Sequence, residues 1–332
     1  DFGSGDAWEL NTNDSRLGVK GSYDINENVM AIYKLEYSTD ADGEGVGKGS
    51  GNEFNRRNIY GGFTGERFGT VIAGSFDTPL KTSQGKADLF NDTAADMDAV
   101  MTGNFRPDNI IQWTSMELGH NLSINAAIMP GEGDDTDGGN DDGIADAWSL
   151  SLVYDTENLY LAVAADENTS HNSEAADTRG NGGGADIYRF TGQGKVSNWT
   201  IGGIYQVADG NDSSDADSIG GGRQGGGSTD ALDGAWAAAA GIGDEQEAFL
   251  FSVKYDTQSG AAKFQYGESE NEFDAGGADL DWDIEMWVLG YDWYMSKQTT
   301  VYAFYSDHEV DISSGDAAAL GYGDDDLDSD VL

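Results

Sequence analysis

Segment after segment of this chain alternates apolar and polar residues with a period of two, and short turns and long polar loops take turns in joining the segments. Val29, Ala31, Tyr33, Leu35 and Tyr37 share one parity, with Lys34 and Glu36 on the other. Leu122, Ile124, Ala126 and Ile128 oppose Ser123 and Asn125, and Leu159, Leu161 and Val163 follow the same rule. Phe249, Phe251, Val253 and Tyr255 oppose Ser252, Lys254 and Asp256, while Trp287, Leu289, Tyr291 and Trp293 oppose Asp292. The short connections are residues 23–28, 154–158, 255–260 and 294–298; the long ones include 40–53, 131–143 and the region around 209–244. A soluble sandwich rarely keeps that order of lengths. A barrel across an outer membrane does, with turns on the periplasmic side and loops outside, and about fourteen strands are recognisable here.

Mean hydropathy alone points the other way. No stretch approaches the roughly 18 to 20 consecutive apolar residues of a membrane-crossing helix, and the first residues, DFGSGDAW, have no signal-peptide pattern. A barrel strand needs only about ten residues with every second one apolar, so its averaged hydropathy is unremarkable. Tyr154, Tyr160, Tyr255, Trp293 and Tyr294 stand at strand ends beside the turns, where an interfacial aromatic girdle belongs.

The chain carries 61 acidic and 17 basic residues, a net charge of −44, which excludes nucleic acid as a partner. It has no cysteine, hence no disulfide, thiolate metal site or catalytic thiol. Its histidines are His120, His171 and His308, and no zinc-protease, nucleophile-elbow or phosphate-loop motif accompanies them. The residues therefore predict a protein that is not an enzyme. Asp137, Asp142 and Asp146 in the run GDDTDGGNDDGIADAW are candidate ligands for Ca²⁺, a hard cation that favours closely spaced oxygens. The run departs from the EF-hand pattern, and a solvated acidic loop is the competing reading.

One connection, residues 77–105, is long yet holds apolar residues and the makings of a helical turn near Thr93 to Val100. Loops with their own buried contacts are often functional.

The runs SRLGVKG (15–21), YGGFTGERFGTVIAGSFDTPL (60–80) and RPDNIIQW (106–113) resemble the trimeric general porins of Gram-negative bacteria, a likeness extending over nearly the whole chain. The resemblance implies a single all-β domain over 1–332, an antiparallel transmembrane barrel of about sixteen strands whose first and last strands are missing from this chain. It makes 77–105 the constriction loop folded into the lumen. It also implies pore-wall arginines at Arg16, Arg57 and Arg106. Parity independently turns Arg16 (with Lys20, against Leu17 and Val19) and Arg106 (with Gln112, against Ile111 and Trp113) inward, and leaves Arg56 and Arg57 undecided. Facing them would be loop carboxylates, from Asp88, Asp92, Asp96 and Asp98, with Asp92 and Asp96 favoured; the Pro-Glu-Phe-Gly-Gly run of many relatives is absent. The function implied is passive diffusion of small hydrophilic solutes and ions across the bacterial outer membrane, weakly cation-selective because the loops are acidic. The expected partners are two further copies in a homotrimer, with the loop around Glu44 as a latch, and outer-membrane lipid and lipopolysaccharide. The alternative is a secreted or surface-attached calcium-binding acidic β protein, whose strands would pack their apolar faces on one another.

Overall fold

The computed structural model describes residues 15–39, 54–119, 121–130, 143–169, 185–210, 245–274, 279–312 and 327–331. Among the described residues fifteen strands pair antiparallel, each with the next in sequence. They are β1 (Arg16–Asn26), β2 (Val29–Thr39), β3 (Phe54–Gly65), β4 (Gly69–Ser75), β5 (Ile110–Thr114), β6 (Leu122–Met129), β7 (Ala147–Asp155) and β8 (Leu159–Thr169). They continue with β9 (Ala185–Val196), β10 (Trp199–Gly210), β11 (Glu245–Asp256), β12 (Gly260–Asp274), β13 (Asp279–Ser296), β14 (Thr299–Ile312) and β15 (Leu327–Val331). The four short connections read from the sequence are all hairpins in this order. β15 adds to the strands recognisable by period.

The sheet curls into a barrel, which the connection between β4 and β5 demonstrates. Phe90 in that connection meets the ring of Phe304 on β14 at 5.7 Å, and Asp92 bonds Arg16 on β1 at 2.5 Å. Two residues reach at most about 7 Å. The first strand and the fourteenth therefore border the same lumen.

Each wall strand shows two faces. Over 199–208 of β10, 245–252 of β11 and 281–290 of β13, buried residues alternate strictly with more exposed ones. Inside lie Ser149, Ser151, Arg189, Gln206, Ser252 and Gln265, all buried. Outside lie Leu17 at 61% exposure, Val19 at 63% and Leu289 at 58%, with Leu150, Leu152, Phe249 and Phe251. At about 25 cal/mol per Å² no water-facing surface keeps so continuous an apolar belt, whereas hydrocarbon accepts it. Aromatic pairs bound the belt: Trp199 with Tyr255 and Tyr291 with Trp293 at the turn end, Phe249 with Tyr266 and Trp287 with Tyr305 at the loop end. Six residues separate Tyr255 from Phe249 and Trp293 from Trp287, about 20 Å of strand, close to the apolar height of an outer-membrane barrel. Tyr160 corrects the girdle expected from sequence. Its parity opposes that of Leu159 and Leu161, so it points inward and its hydroxyl donates to Ser83 O at 3.0 Å.

Beyond the loop-end aromatics the outer face turns acidic, and the register sets carboxylates directly opposite one another. Asp186, Asp209, Glu245, Glu272 and Asp281 form one row across β9–β13. Glu247, Glu270, Asp283 and Asp311 form the next, and Glu268, Glu285 and Glu309 a third. Part of the negative charge expected in the loops is thus ruled onto the strands. Like charges facing across a ladder are destabilising, by a few tenths to about 1 kcal/mol per pair. Replacing Glu270 with Gln and Asp283 with Asn together should therefore raise the temperature at which the folded barrel is lost. The gain should be clear in about 10 mM salt and nearly gone in about 1 M, where the Debye length shrinks to about 3 Å; heating at both salt concentrations, followed by gel mobility of the folded form, measures it.

Candidate functional site

The lumen is narrowed by residues 76–109, which leave β4, cross the interior and return to β5. The segment is slightly longer than the 77–105 read from sequence. It contains a helix α1 (Pro79–Thr82) and a 3-10 turn (Met97–Ala99), the latter inside the stretch where a helical turn was expected. Thr78 caps α1, its hydroxyl accepting from Lys81 N at 3.1 Å. With so little regular structure, the peptide groups of the loop need other partners, and the wall supplies them. Ser252 donates to Ala87 O at 2.5 Å, Lys263 to Leu89 O at 3.1 Å and Gln193 to Lys86 O at 2.6 Å. Gln265 accepts from Leu89 N at 2.8 Å, and Gln246 accepts from Thr102 N at 2.9 Å.

The apolar side of the loop fills the same wall. Phe90, Met97, Val100 and Met101 are buried with Ile204, Leu250, Trp282, Ile284 and Met286. A glycine makes the closest approach feasible: a Cβ on Gly290 would stand 2.7 Å from the ring of Phe90. Burying a ring of that size is worth about 2 to 3 kcal/mol, so the loop is held by packing as well as by hydrogen bonds.

The tip of the loop meets a charged cluster on β1–β3 whose partly exposed members border the gap beside it. Asp92, left-handed at φ 61°, lies 2.5 Å from Arg16 and 4.0 Å from Arg57. Arg57 is also 3.9 Å from Glu36, which pairs with Lys34 at 2.9 Å. The ladder between β2 and β3 shifts register between Leu35 and Tyr37, so Arg57 and Asn58 together oppose Glu36. That bulge is why parity on β3 is mixed. It resolves the choice left open by sequence, because Arg57 turns inward while Arg56 is exposed and pairs with Asp108 at 3.1 Å.

Arg106 also faces inward, at the base of the loop rather than at its tip. It pairs with Asp77 at 2.8 Å, beside Lys81 at 3.1 Å from the same oxygen. Asn58 joins base and tip, donating to both Glu36 and Asp77 at 3.2 Å and accepting from Asp77 N at 3.1 Å. The three arginines therefore belong to one network whose connecting members, Lys34, Glu36, Asn58, Asp77 and Lys81, were not singled out from sequence. The inward parity of Lys34 and Glu36 was the signal available.

Two of the expected loop carboxylates have other positions. Asp88 is 7% exposed and turned into the loop itself, accepting from Phe90 N at 3.0 Å, Met97 N at 3.2 Å and Gln265 at 2.9 Å. It does not line the gap, because the turns of the loop consume its oxygens. Asp96 caps the 3-10 turn, accepting from Asp98 N at 3.0 Å and from Asp92 N at 2.6 Å. It thereby holds Asp92 in place from beneath. Asp98 accepts from Asn104 Nδ2, so among the described residues only Asp92 of the four candidate acids pairs with the arginines.

Among the other expected residues, Glu44, Asp137 and Asp142 lie outside the described residues. Asp146 closes a local turn, its carboxylate accepting from Gly143 N at 2.9 Å. His308 is buried inside β14 with Ser306 at 3.1 Å.

The loop acids titrate in opposite directions. Burial works against the charge of Asp77, yet Lys81, Arg106 and Asn58 outweigh it and hold the carboxyl down at about 2. Burial first and Asp96 second push Asp88 up to about 7, against the pull of Gln265 and two amides. Asp96 is raised too, by burial. A raised carboxyl supports the fold below its ordinary value near 3.8 and loses that contribution as pH climbs through its folded value. A lowered one supports the fold above 3.8 and fails as pH falls through about 2. The loop should therefore be tightest near pH 4 to 5 and loosen toward pH 8. Hydrogen exchange at Leu89, Phe90 and Met97, corrected for intrinsic rate, should show protection falling across that range; a flat profile would contradict the assignment of Asp88.

A family model described as Gram-negative porin matches residues 2–313. No curated protein sequence matches the chain. Among solved structures, OmpF of Salmonella typhi, in a complex with daunomycin, superimposes with a TM-score of 0.63 at 14% identity, over 94% of this chain and 87% of the other. An anion-selective porin from Comamonas acidovorans gives 0.59 at 17% identity, over 90% and 79%. OmpT of Vibrio cholerae, an outer membrane protein folded in vitro and solved in a trimer form, gives 0.56 at 13%, over 92% and 82%.

Proposed function

The chain belongs to the Gram-negative porin family and is a channel of the bacterial outer membrane; from that premise we propose that it passes small hydrophilic solutes and ions by diffusion, with a weak preference for cations. The observation that carries this reading is the cluster at the tip of the infolded loop, where Asp92 meets Arg16 and Arg57 and charges of both signs stay partly exposed inside the barrel. Permeation there needs no covalent chemistry. A solute passing this cluster exchanges hydration for fixed charges of both signs, which favours dipolar solutes and penalises apolar ones.

The sign of ion preference follows from how charge is distributed. At the gap each cation stands beside a carboxylate: Arg16 beside Asp92, Arg57 and Lys34 beside Glu36, Lys81 and Arg106 beside Asp77. The net charge of −44 is carried largely elsewhere, among the described residues on the outer rows of β9–β14, where it concentrates cations within about a Debye length. The gap itself sets five cations, Arg16, Arg57, Lys34, Lys81 and Arg106, against the three carboxylates Asp92, Glu36 and Asp77, so the surrounding negative charge is partly offset there and the cation preference is weak.

Assembly into a homotrimer is part of the proposal, as in the trimer form of the Vibrio relative. β4, β5 and β6 have 7, 5 and 8 residues. Five residues rise about 17 Å, short of the roughly 25 Å apolar band. The outer face beside them exposes Phe63, Phe68, Ile111, Trp113 and Met116. A second copy covers such a low section of wall better than lipid does. The alternative of a secreted calcium-binding β protein is not favoured, because the apolar faces of the strands look outward instead of packing together.

Reversal potentials across planar bilayers in a salt gradient test the selectivity. The wild type should prefer cations weakly, Asp92→Asn should lower that preference and Arg16→Ala should raise it, all three converging near 1 M salt as screening tightens. An anion-preferring wild type would overturn the cation reading and leave the channel standing.

A further inference from the structure

The loop leaves the wall along one limb and returns along another, and both limbs are fastened at one buried side chain. Arg189 on β9 is 2% exposed. Its Nη1 donates to Leu80 O at 3.3 Å and its Nη2 to Thr102 O at 3.0 Å, while Nε donates to Gln206 Oε1 at 2.8 Å. Gln206 on β10 in turn donates to Thr102 O at 2.9 Å. Leu80 belongs to the outgoing limb, Thr102 to the returning one.

Other contacts secure the same two residues. Leu80 N donates to Ser149 on β7 at 3.1 Å, and Thr102 N donates to Gln246 on β11. The Leu80 side chain packs with Ala164, Ile187 and Ala208. No carboxylate pairs with Arg189 among the described residues, so its donors are given to neutral oxygens. A rigid fork of five donors suits two carbonyls and an amide at once; a lysine offers a single point and can satisfy only part of the set.

The loop is shaped to this guanidinium. Gly103 has φ +100°, and a Cβ there would stand 2.6 Å from Arg189 Nη2 and 2.8 Å from Leu80 Cδ2. The other anchors are spread around the wall: Tyr160 on β8 holds Ser83 O, Gln193 on β9 holds Lys86 O, and Ser252, Lys263 and Gln265 on β11 and β12 hold residues 87–89. Each of these meets one limb or the tip, whereas Arg189 bonds both limbs.

Building on the channel reading above, we propose that Arg189 is the positioning residue of the constriction: by pinning both limbs to the wall it fixes how far the tip reaches and keeps Asp92 against Arg16 and Arg57. Arg189 touches no permeating solute. It acts through the loop.

Single-channel recording in planar bilayers, with selectivity measured on the same membranes, tests this. Arg189→Met should raise conductance roughly 1.5-fold or more and add open-channel noise, because a released loop widens the gap. Arg189→Lys should fall between. Gly103→Ala, which disturbs the clip from the loop side without altering the wall, should match Arg189→Met. The further readout is coupling: Asp92→Asn should shift the reversal potential in wild type but hardly at all on the Arg189→Met background, where Asp92 no longer sits at the gap. Wild-type conductance in both folded variants, or an undiminished Asp92→Asn shift on the Arg189→Met background, overturns the proposal. If Arg189→Met does not fold, as shown by its gel mobility with and without heating, Gly103→Ala decides alone. Absence of conductance in the wild type would remove the channel reading itself.

Discussion

A peptide segment of more than thirty residues with one turn of α-helix must satisfy its backbone inside the barrel, and that requirement shapes the interior. Unpaired buried amides and carbonyls are each expensive, about 1 to 3 kcal/mol. The wall answers with side chains. Glutamines at 193, 206, 246 and 265, serines at 149 and 252, Tyr160, Lys263 and Arg189 all spend donors or acceptors on loop backbone. The polar inward parity of β7–β12 is therefore only partly a pore lining. Much of it is scaffolding, and the partly exposed charges at the loop tip lie on the other side, against β1–β3.

That division explains why loop carboxylates with the same chemistry have different roles. Asp88 and Asp96 are spent on the turns that give the loop its shape, and Asp92 is presented by them to the arginines. A residue cannot both cap a buried turn and face the pore. The outer surface shows a different solution to crowding: rows of carboxylates facing across the ladders, tolerable because they stand outside the aromatic belt, where water and counterions screen them.

The barrel was legible in the sequence because a period of two needs no tertiary information. Hairpins at 23–28, 154–158, 255–260 and 294–298 and the lipid-facing parity of Leu159, Leu161 and Leu289 follow from residues next to each other. Arg16 could be turned inward the same way. Arg57 could not, since a register shift opposite Glu36 broke the parity, and such a shift depends on two strands at once. Tyr160 was read as girdle because strand-end aromatics usually are, but its partner, Ser83, is 77 positions away.

By itself, then, the sequence determined the wall: alternation fixes which side chains meet hydrocarbon, loop lengths fix which end is which, and the scarcity of basic residues makes each inward arginine conspicuous. The tertiary structure alone decided the constriction. Whether a loop carboxylate faces an arginine or a backbone amide depends on where the loop is fastened, and its fastenings, Arg189 foremost, lie on strands 69 to 177 residues further along the chain. Hydrogen bonds over that separation carry no local period, so only the folded barrel brings Leu80, Thr102 and Arg189 together and leaves Asp92 at the gap.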